Sequence, residues 1–191
     1  MRKLVLFMHA SLDGFVARPA GEMDWIKVDE EMFEYAGKQT DEADTALYGR
    51  VTFQMMESYW PTAAAQPKPS KHDIEHSRWY NKVVKLVVSR TIQGKTFPNT
   101  KILSDNLSSE IIQLKQSTGK NILMFGSPTV AHSLTQENLI DDYWLFVNPI
   151  LLGQGIPLFQ GIKENVRLKL MTSHVFPSGV VCLHYESIQK N

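Results

Sequence analysis

Short apolar runs recur along this chain, each closed by small or hydroxylated residues and followed by a longer amphipathic stretch, and that alternation most constrains its fold. Leu4-Val5-Leu6-Phe7-Met8, Thr45-Ala46-Leu47-Tyr48, Val83 to Val88 and Asn121 to Phe125 are such runs. Runs that are apolar throughout suit strands covered on both faces, and strands separated by helices suit a parallel sheet. The first strand is read over Lys3 to His9, with a Gly/Pro-punctuated loop after it through Asp24. Asp29-Glu30-Glu31 opens a helix whose buried face is Met32, Phe33, Tyr35 and Ala36, the acids matching the positive end of the helix dipole. Gly49 turns the second strand into a helix over Thr52 to Ser58, and Trp60 to Ser70, with Pro61, Pro67 and Pro69, reads as a loop. A polar helix over Lys71 to Lys82, a helix near Ser108 to Gln116 and another from Pro128 follow, the proline suiting a first helical turn.

The last third changes character. Tyr143 to Ile150, Val166 to Phe176 and Val180 to Glu186 read as strands, the last two joined by a Pro177-Ser178-Gly179 turn. The expected fold is a three-layer α/β/α architecture with a mixed central sheet, parallel early and antiparallel at the C-terminal hairpin, with residues 1–191 as one domain.

Composition narrows the function classes. With 43% hydrophobic and 21% charged residues, the chain carries enough apolar material for a core and is not a disordered one. Lys+Arg and Asp+Glu stand at 20 each, so no net charge draws the protein to nucleic acid or an anionic membrane. Cys182 stands alone, which excludes an internal disulfide and fits a reducing compartment. The apolar run after Met1-Arg2-Lys3 is broken by His9 and Asp13, too short for a signal peptide, and no run approaches the roughly 20 residues of a membrane helix. A cytoplasmic protein is expected.

Three strand-to-helix junctions carry the candidate chemistry: Gly49-Arg50-Val51-Thr52, Ser89-Arg90-Thr91 and Gly126-Ser127-Pro128-Thr129. Loops at the carboxyl ends of strands form the ligand crevice of an α/β sheet, where helix N-termini and backbone amides hold phosphate. Glycine admits a ligand close to the backbone, and arginine and hydroxyls donate to anionic oxygen. Each junction alone is also an ordinary turn or cap, but three together point to a ligand with several phosphates. Gly153-Gln154-Gly155 interrupts another apolar run, as a bulge or a close approach to a ligand. There is no GxGxxG after the first strand, no P-loop, no G-x-S-x-G and no zinc deaminase signature. His72-Asp73-Ile74-Glu75-His76 fits H-x-x-E-H, which on a helix puts both histidines on one face as zinc ligands would require. With no third ligand evident, a solvated helix face is the simpler reading and no metal is expected. His9, at the end of a buried strand, is read as a core histidine near the crevice.

Taken in order, Ser11-Leu12-Asp13-Gly14-Phe15-Val16-Ala17, Leu47-Tyr48-Gly49-Arg50-Val51-Thr52, Lys85 to Thr91, Phe125-Gly126-Ser127, Leu139 to Tyr143 and Pro149 to Phe159 form a pattern covering nearly the whole chain. It resembles the dihydrofolate reductase-like superfamily, and most closely the reductase domain of bacterial riboflavin biosynthesis. The resemblance implies NADPH as hydride donor, with Gly49, Arg50 and Thr52 at the pyrophosphate and Ser89 and Arg90, beside Thr91, at the adenosine 2′-phosphate. It also implies Gly126, Ser127, Pro128, Thr129 and Val130 at the phosphates near the nicotinamide, with Gly153 and Gly155 in the same cofactor set. Many relatives have paired glycines where Gly126-Ser127 stands here.

For the substrate the resemblance implies Ser11, Gly14, Phe15, Trp25 and Asp29, with Asp13 or a bound water handling protons. Asp13 also reads as a loop carboxylate, and Asp29 or Glu30 as helix-dipole acids. The implied reaction is reduction of a ribosylaminopyrimidine, as in 5-amino-6-(5-phosphoribosylamino)uracil reductase, or of a similar small heterocycle. Dihydrofolate reduction and non-catalytic nucleotide binding are the alternatives, and the accompanying deaminase domain is absent from this sequence. The resemblance further implies a homodimer, through the late strands.

Overall fold

A computed structural model describes residues 1–92 and 96–188. The first half runs β1 (Leu4–Ser11), β2 (Phe15–Ala17), α1 (Glu30–Asp41), β3 (Ala43–Gly49), α2 (Arg50–Tyr59), a 3-10 helix (Trp60–Ala65), α3 (Lys71–Lys82) and β4 (Val84–Val88). The second half runs β5 (Thr100–Leu103), α4 (Leu107–Gln116), β6 (Asn121–Phe125), α5 (Pro128–Gln136), β7 (Asp142–Asn148), β8 (Ile156–Pro157), β9 (Leu168–Val175) and β10 (Val181–Ser187).

The large sheet has the order β5-β4-β3-β6-β1-β7-β10-β9. All pairs from β5 through β7 are parallel, and β10 then runs antiparallel to both β7 and β9. This is the expected mixed sheet, and helices cover both faces. Alternation along β1 assigns the layers: Leu4, Leu6, Met8 and Ala10 pack in a core with Ile111 of α4 and Val130, Ala131 and Leu134 of α5. Val5 packs on the opposite face in a core with Phe53 of α2 and Tyr80 of α3. Met32 of α1 closes a third cluster with Phe146, Phe176 and Cys182. Burial of Leu4 and Leu6, both fully inaccessible, contributes about 2 kcal/mol each.

Four elements, the 3-10 helix, β5, β2 and β8, depart from the sequence expectation. The stretch read as a loop from Trp60 begins as a 3-10 helix with Pro61 in its first turn, where its missing N–H costs nothing. β5, unanticipated, is a short edge strand with Lys101 exposed, which leaves little apolar alternation to read. The apolar run around Gly153 and Gly155 does not continue β7. It leads into β8, which pairs with β2 as a separate two-stranded sheet. The C-terminal turn is as expected: Gly179, at φ +84°, donates to the Phe176 carbonyl at 2.9 Å.

Among the described residues, no helix is long and apolar enough to cross a membrane.

Candidate active site

β6 lies between β1 and β3, so the chain leaves β3 outward through β4 and β5 before returning through α4. A cleft of about 1670 Å³ opens at the carboxyl ends of these strands, where α/β sheets bind ligands.

One half of the cleft is built from helix N-termini. Gly49 precedes α2 and Ser127 precedes α5, and neither provides a side-chain cap to its own helix. The Ser127 hydroxyl is used across the junction instead: it accepts from Gly49 N at 2.6 Å and donates to Thr52 Oγ1 at 3.0 Å. That bridge fixes the starts of α2 and α5 side by side with no side-chain cap on either; in α5 Pro128 carries no N–H and Val130 and Ala131 N donate to the Ser127 carbonyl, which leaves Thr129 N as its open donor. The fit leaves no spare room, because a Cβ on Gly49 would lie 2.9 Å from Ser127 Oγ and 3.0 Å from its Cβ. Gly126 takes φ +55°, a left-handed conformation, and a Cβ there would meet Thr52 Cγ2 at 3.2 Å.

Ser89 and Arg90 continue this half. The Ser89 hydroxyl accepts from the backbone N of Thr91 and Ile92 at 3.1 and 3.0 Å, closing the turn after β4. Exposed Arg90 reaches the carbonyl of Ser104 at 3.2 Å and Asp105 at 3.5 Å, which holds it beside the start of α4. Ser104 to Ser108 also line the cleft, a third helix start without a side-chain cap, in a helix that the sequence places near Ser108 but does not assign to the site. Its N-cap, Asn106, is a residue type that ordinarily caps, but here it is left-handed and makes no capping bond, which the sequence does not reveal. Thr91, by contrast, faces a separate hollow with Phe53, Glu57, Ile92 and Phe97.

The other half is aromatic. The Phe33 and His72 rings stack at 3.9 Å, Trp60 lies 4.1 Å from His76, and His76 lies 5.2 Å from Trp79 and 6.0 Å from Phe125. Phe125 meets Phe7 at 5.6 Å, and His9 stacks on Phe146 at 5.0 Å. Burial pushes the imidazole of His9 down to about 4 and that of His76 to about 3, the latter helped by His72. His72 is also shifted down, chiefly by burial. These histidines pack as neutral rings. The H-x-x-E-H segment therefore supplies ring stacking, and among the described residues no three His, Cys, Asp or Glu side chains are placed to hold a metal.

The sequence-derived substrate residues do not line the cleft, although Val16, Ala17, Met23 and Ile26 from the same segments do. Asp13 is exposed. Its carboxylate accepts from Ser11 Oγ at 2.6 Å, Gly153 N at 2.7 Å and Leu152 N at 3.1 Å, and these bonds, Ser11 first, hold it below the usual carboxylate range. An ionised, triply bonded carboxylate has no proton to donate at neutral pH. Gly14, at φ +85°, closes the turn with Ser11, and Phe15 N donates to Ser11 Oγ at 2.9 Å. Gly153 and Gly155 belong to this same knot outside the cleft: a Cβ on Gly155 would lie 2.3 Å from the Ala17 carbonyl oxygen. Asp29 caps α1 by accepting from Met32 N at 2.8 Å and also binds Ser178 N at 3.2 Å; Ser178, then Met32, keeps its carboxyl low. Glu30 is an exposed first-turn acid. Trp25 is buried, its indole Nε1 without a hydrogen-bond partner among the described residues.

Comparison with known proteins agrees with this architecture. The protein YyaP of Bacillus subtilis is 32% identical over 189 residues, covering 96% of this chain and 94% of its own. The Thermotoga maritima diaminohydroxyphosphoribosylaminopyrimidine deaminase/5-amino-6-(5-phosphoribosylamino)uracil reductase superposes with a TM-score of 0.67 at 14% identity, covering 98% of this chain and 57% of that one. The Enterococcus faecalis dihydrofolate reductase, solved with NADP(H), superposes with a TM-score of 0.64 at 12% identity, covering 98% and 97%. The fold is thus dihydrofolate reductase-like. The RibD C-terminal domain family matches residues 2–182, and the chain belongs to it.

Proposed function

We propose that this protein is an NADPH-dependent reductase of a small heterocyclic acceptor, with the dinucleotide held along the three helix starts. The observation that carries this reading is the Ser127 bridge, which presents the uncapped starts of α2 and α5 as one anion-binding surface. The residues fit the group: a Cβ at Gly126 would intrude on Thr52, and the cleft has the volume for a dinucleotide. Gly49 to Thr52 and Gly126 to Val130 would hold the central phosphates. Arg90, with Ser89 and the α4 start, would hold the 2′-phosphate that separates NADPH from NADH. Family membership and the likeness to a fold solved with NADP(H) support the assignment.

When bound, NADPH supplies the hydride. The chain's own part is to orient the acceptor against the aromatic half, with a bound water left to deliver the accompanying proton, since Asp13 is committed to Ser11 and the backbone donors Leu152 and Gly153. We place this activity in the cytoplasm, a reading supported by the single cysteine, buried and with its thiol pushed up to about 12.

Calorimetric titration of NADPH and NADH into the protein and its Arg90→Ala variant tests the reading. Saturable NADPH binding that exceeds NADH binding is expected, with the variant losing roughly tenfold or more in NADPH affinity and little in NADH affinity. Absence of saturable NADPH binding would remove the reductase assignment.

A further inference from the structure

His9 interrupts the apolar run of β1, and the fold provides for only one of its two ring nitrogens. It stands opposite Phe146 of β7 in register and stacks on that ring at 5.0 Å, with Phe7 at 6.3 Å. Two residues earlier, the Phe7 carbonyl accepts from Gly126 N at 3.5 Å, so this stretch of β1 runs beside the loop that opens α5. Asn148, the last residue of β7 and fully inaccessible, reaches the imidazole. Its Oδ1 accepts from Lys27 N at 2.9 Å. A backbone N–H can only donate, so that contact fixes which way the amide faces. The other end is then the NH2 group, which donates to the carbonyls of Phe146 and Ala10 at 3.1 and 3.4 Å and lies 3.4 Å from His9 Nδ1. Facing a group that can only donate, Nδ1 must accept, and a neutral imidazole then carries its proton on Nε2. Burial keeps the ring neutral, pushing its protonation down to about 4. Nε2 has no hydrogen-bond partner among the described residues and is not walled in by protein, so its N–H opens on the cleft that His9 lines.

We propose that His9 is a specificity-determining residue whose Nε2–H donates to a neutral acceptor atom of the bound ligand, a carbonyl oxygen or an unprotonated ring nitrogen, and that Asn148 is the positioning residue that keeps the proton on that nitrogen. The use of this contact rests on the reductase reading; the tautomer does not. A neutral donor selects by exclusion: a ring presenting an acceptor there is held, and one presenting an N–H leaves two donors facing each other unpaired. Two sources offer such an atom, the carboxamide of the nicotinamide and the molecule being reduced. A neutral imidazole has no proton to give up near neutral pH, so the contact orients the ligand and does not replace the bound water as proton source.

¹⁵N NMR of the full chain labelled at histidine reads the tautomer directly, and His9→Phe, which keeps a ring against Phe146, identifies the His9 signals by their loss. In the free protein at neutral pH, Nε2 is expected to be protonated and Nδ1 bare; the reverse tautomer or an even mixture overturns the proposal. NADP⁺ and then 2-pyridone, a small neutral ring with a carbonyl acceptor, are added, with the binding of each measured by calorimetry. A shift at His9 Nε2 with slowed exchange of its proton on adding NADP⁺ assigns the contact to the carboxamide, and the same change only on adding 2-pyridone assigns it to the molecule being reduced. No change at His9 with either overturns the proposal. A change with 2-pyridone where NADP⁺ does not bind at all supports the contact and refutes the reductase reading instead. His9→Phe is expected to lose about tenfold in affinity for whichever ligand perturbs His9, and His9→Gln, which keeps an N–H donor, to lose less. Asn148→Ala is expected to spread the proton over both nitrogens, which lost packing alone would not do; an unchanged tautomer in that variant overturns the role of Asn148, and if the variant does not fold the wild-type tautomer still decides.

Discussion

His76 should make the fold acid-sensitive well above the range where carboxylates titrate. Its ring is wedged among Trp60, Trp79 and Phe125 at 4.1, 5.2 and 6.0 Å, and burial lowers its protonation from 6.5 to about 3. In the unfolded chain the same imidazole titrates at its ordinary value. Between those two values the unfolded state binds a proton that the folded state refuses, so stability rises with pH across the window. The contribution is fully present above the unfolded value and is lost as pH falls below it. At about pH 5 the unfolded chain gains about 2 kcal/mol from this one group relative to neutral pH.

His76→Phe keeps a ring of similar size and removes the titration. Urea unfolding of wild type and variant at neutral pH and at about pH 5 gives four stabilities, and the neutral-to-acid difference should be smaller in the variant by about 2 kcal/mol with unchanged m. His9, pushed down to about 4 by burial, adds a loss of the same sign in both proteins and cancels in the comparison, as do the carboxylates. Equal neutral-to-acid differences in the two proteins would refute the claim that His76 is buried as a neutral ring.

Gly126→Ala forces a Cβ into a left-handed residue 3.2 Å from Thr52 Cγ2, so thermal unfolding should report a loss of about 1–2 kcal/mol and calorimetry a marked drop in NADPH affinity. Asp29→Ala removes the α1 cap at a cost of about 1 kcal/mol by urea unfolding, with NADPH affinity unchanged if the carboxylate serves the helix alone. Lys115→Met strands Asp141, whose carboxylate lies 2.7 Å from the ammonium with both side chains largely buried, and should cost roughly 3 kcal/mol. Asp13→Ala frees the amides of Leu152 and Gly153; limited proteolysis should then cut more readily between residues 149 and 156 while NADPH binding persists.

The parts of this fold legible in the sequence are those in which one short segment carries its own signal. β1 and β6 announce themselves because strands covered on both faces carry uninterrupted apolar runs, Leu4 to Met8 and Ile122 to Phe125. β5 does not, since an edge strand with an exposed lysine can look like loop. β2 and β8 span three and two residues, below any period that could be counted. Pro61 was misleading for a different reason: the same residue that ends helices is welcome in their first turn.

The site divides along the same line. Glycines and hydroxyls at the ends of β3 and β6 pointed to the phosphate half, but their joint action depends on a hydrogen bond between residues 78 apart in the chain, Gly49 to Ser127. The serine hydroxyl supplies that bridge, which a glycine at this position could not. The aromatic half was hidden by residue type rather than by distance. His72, His76 and Trp79 recur at helical spacing along α3 and form one packed face, yet in a segment rich in charge the histidines read as polar. Counted as rings, they mark the face that turns toward Phe33 and Phe125. Burial disfavours the imidazolium of His72 and His76, so the ring packing of this face and the neutrality of its histidines are two consequences of the same desolvation.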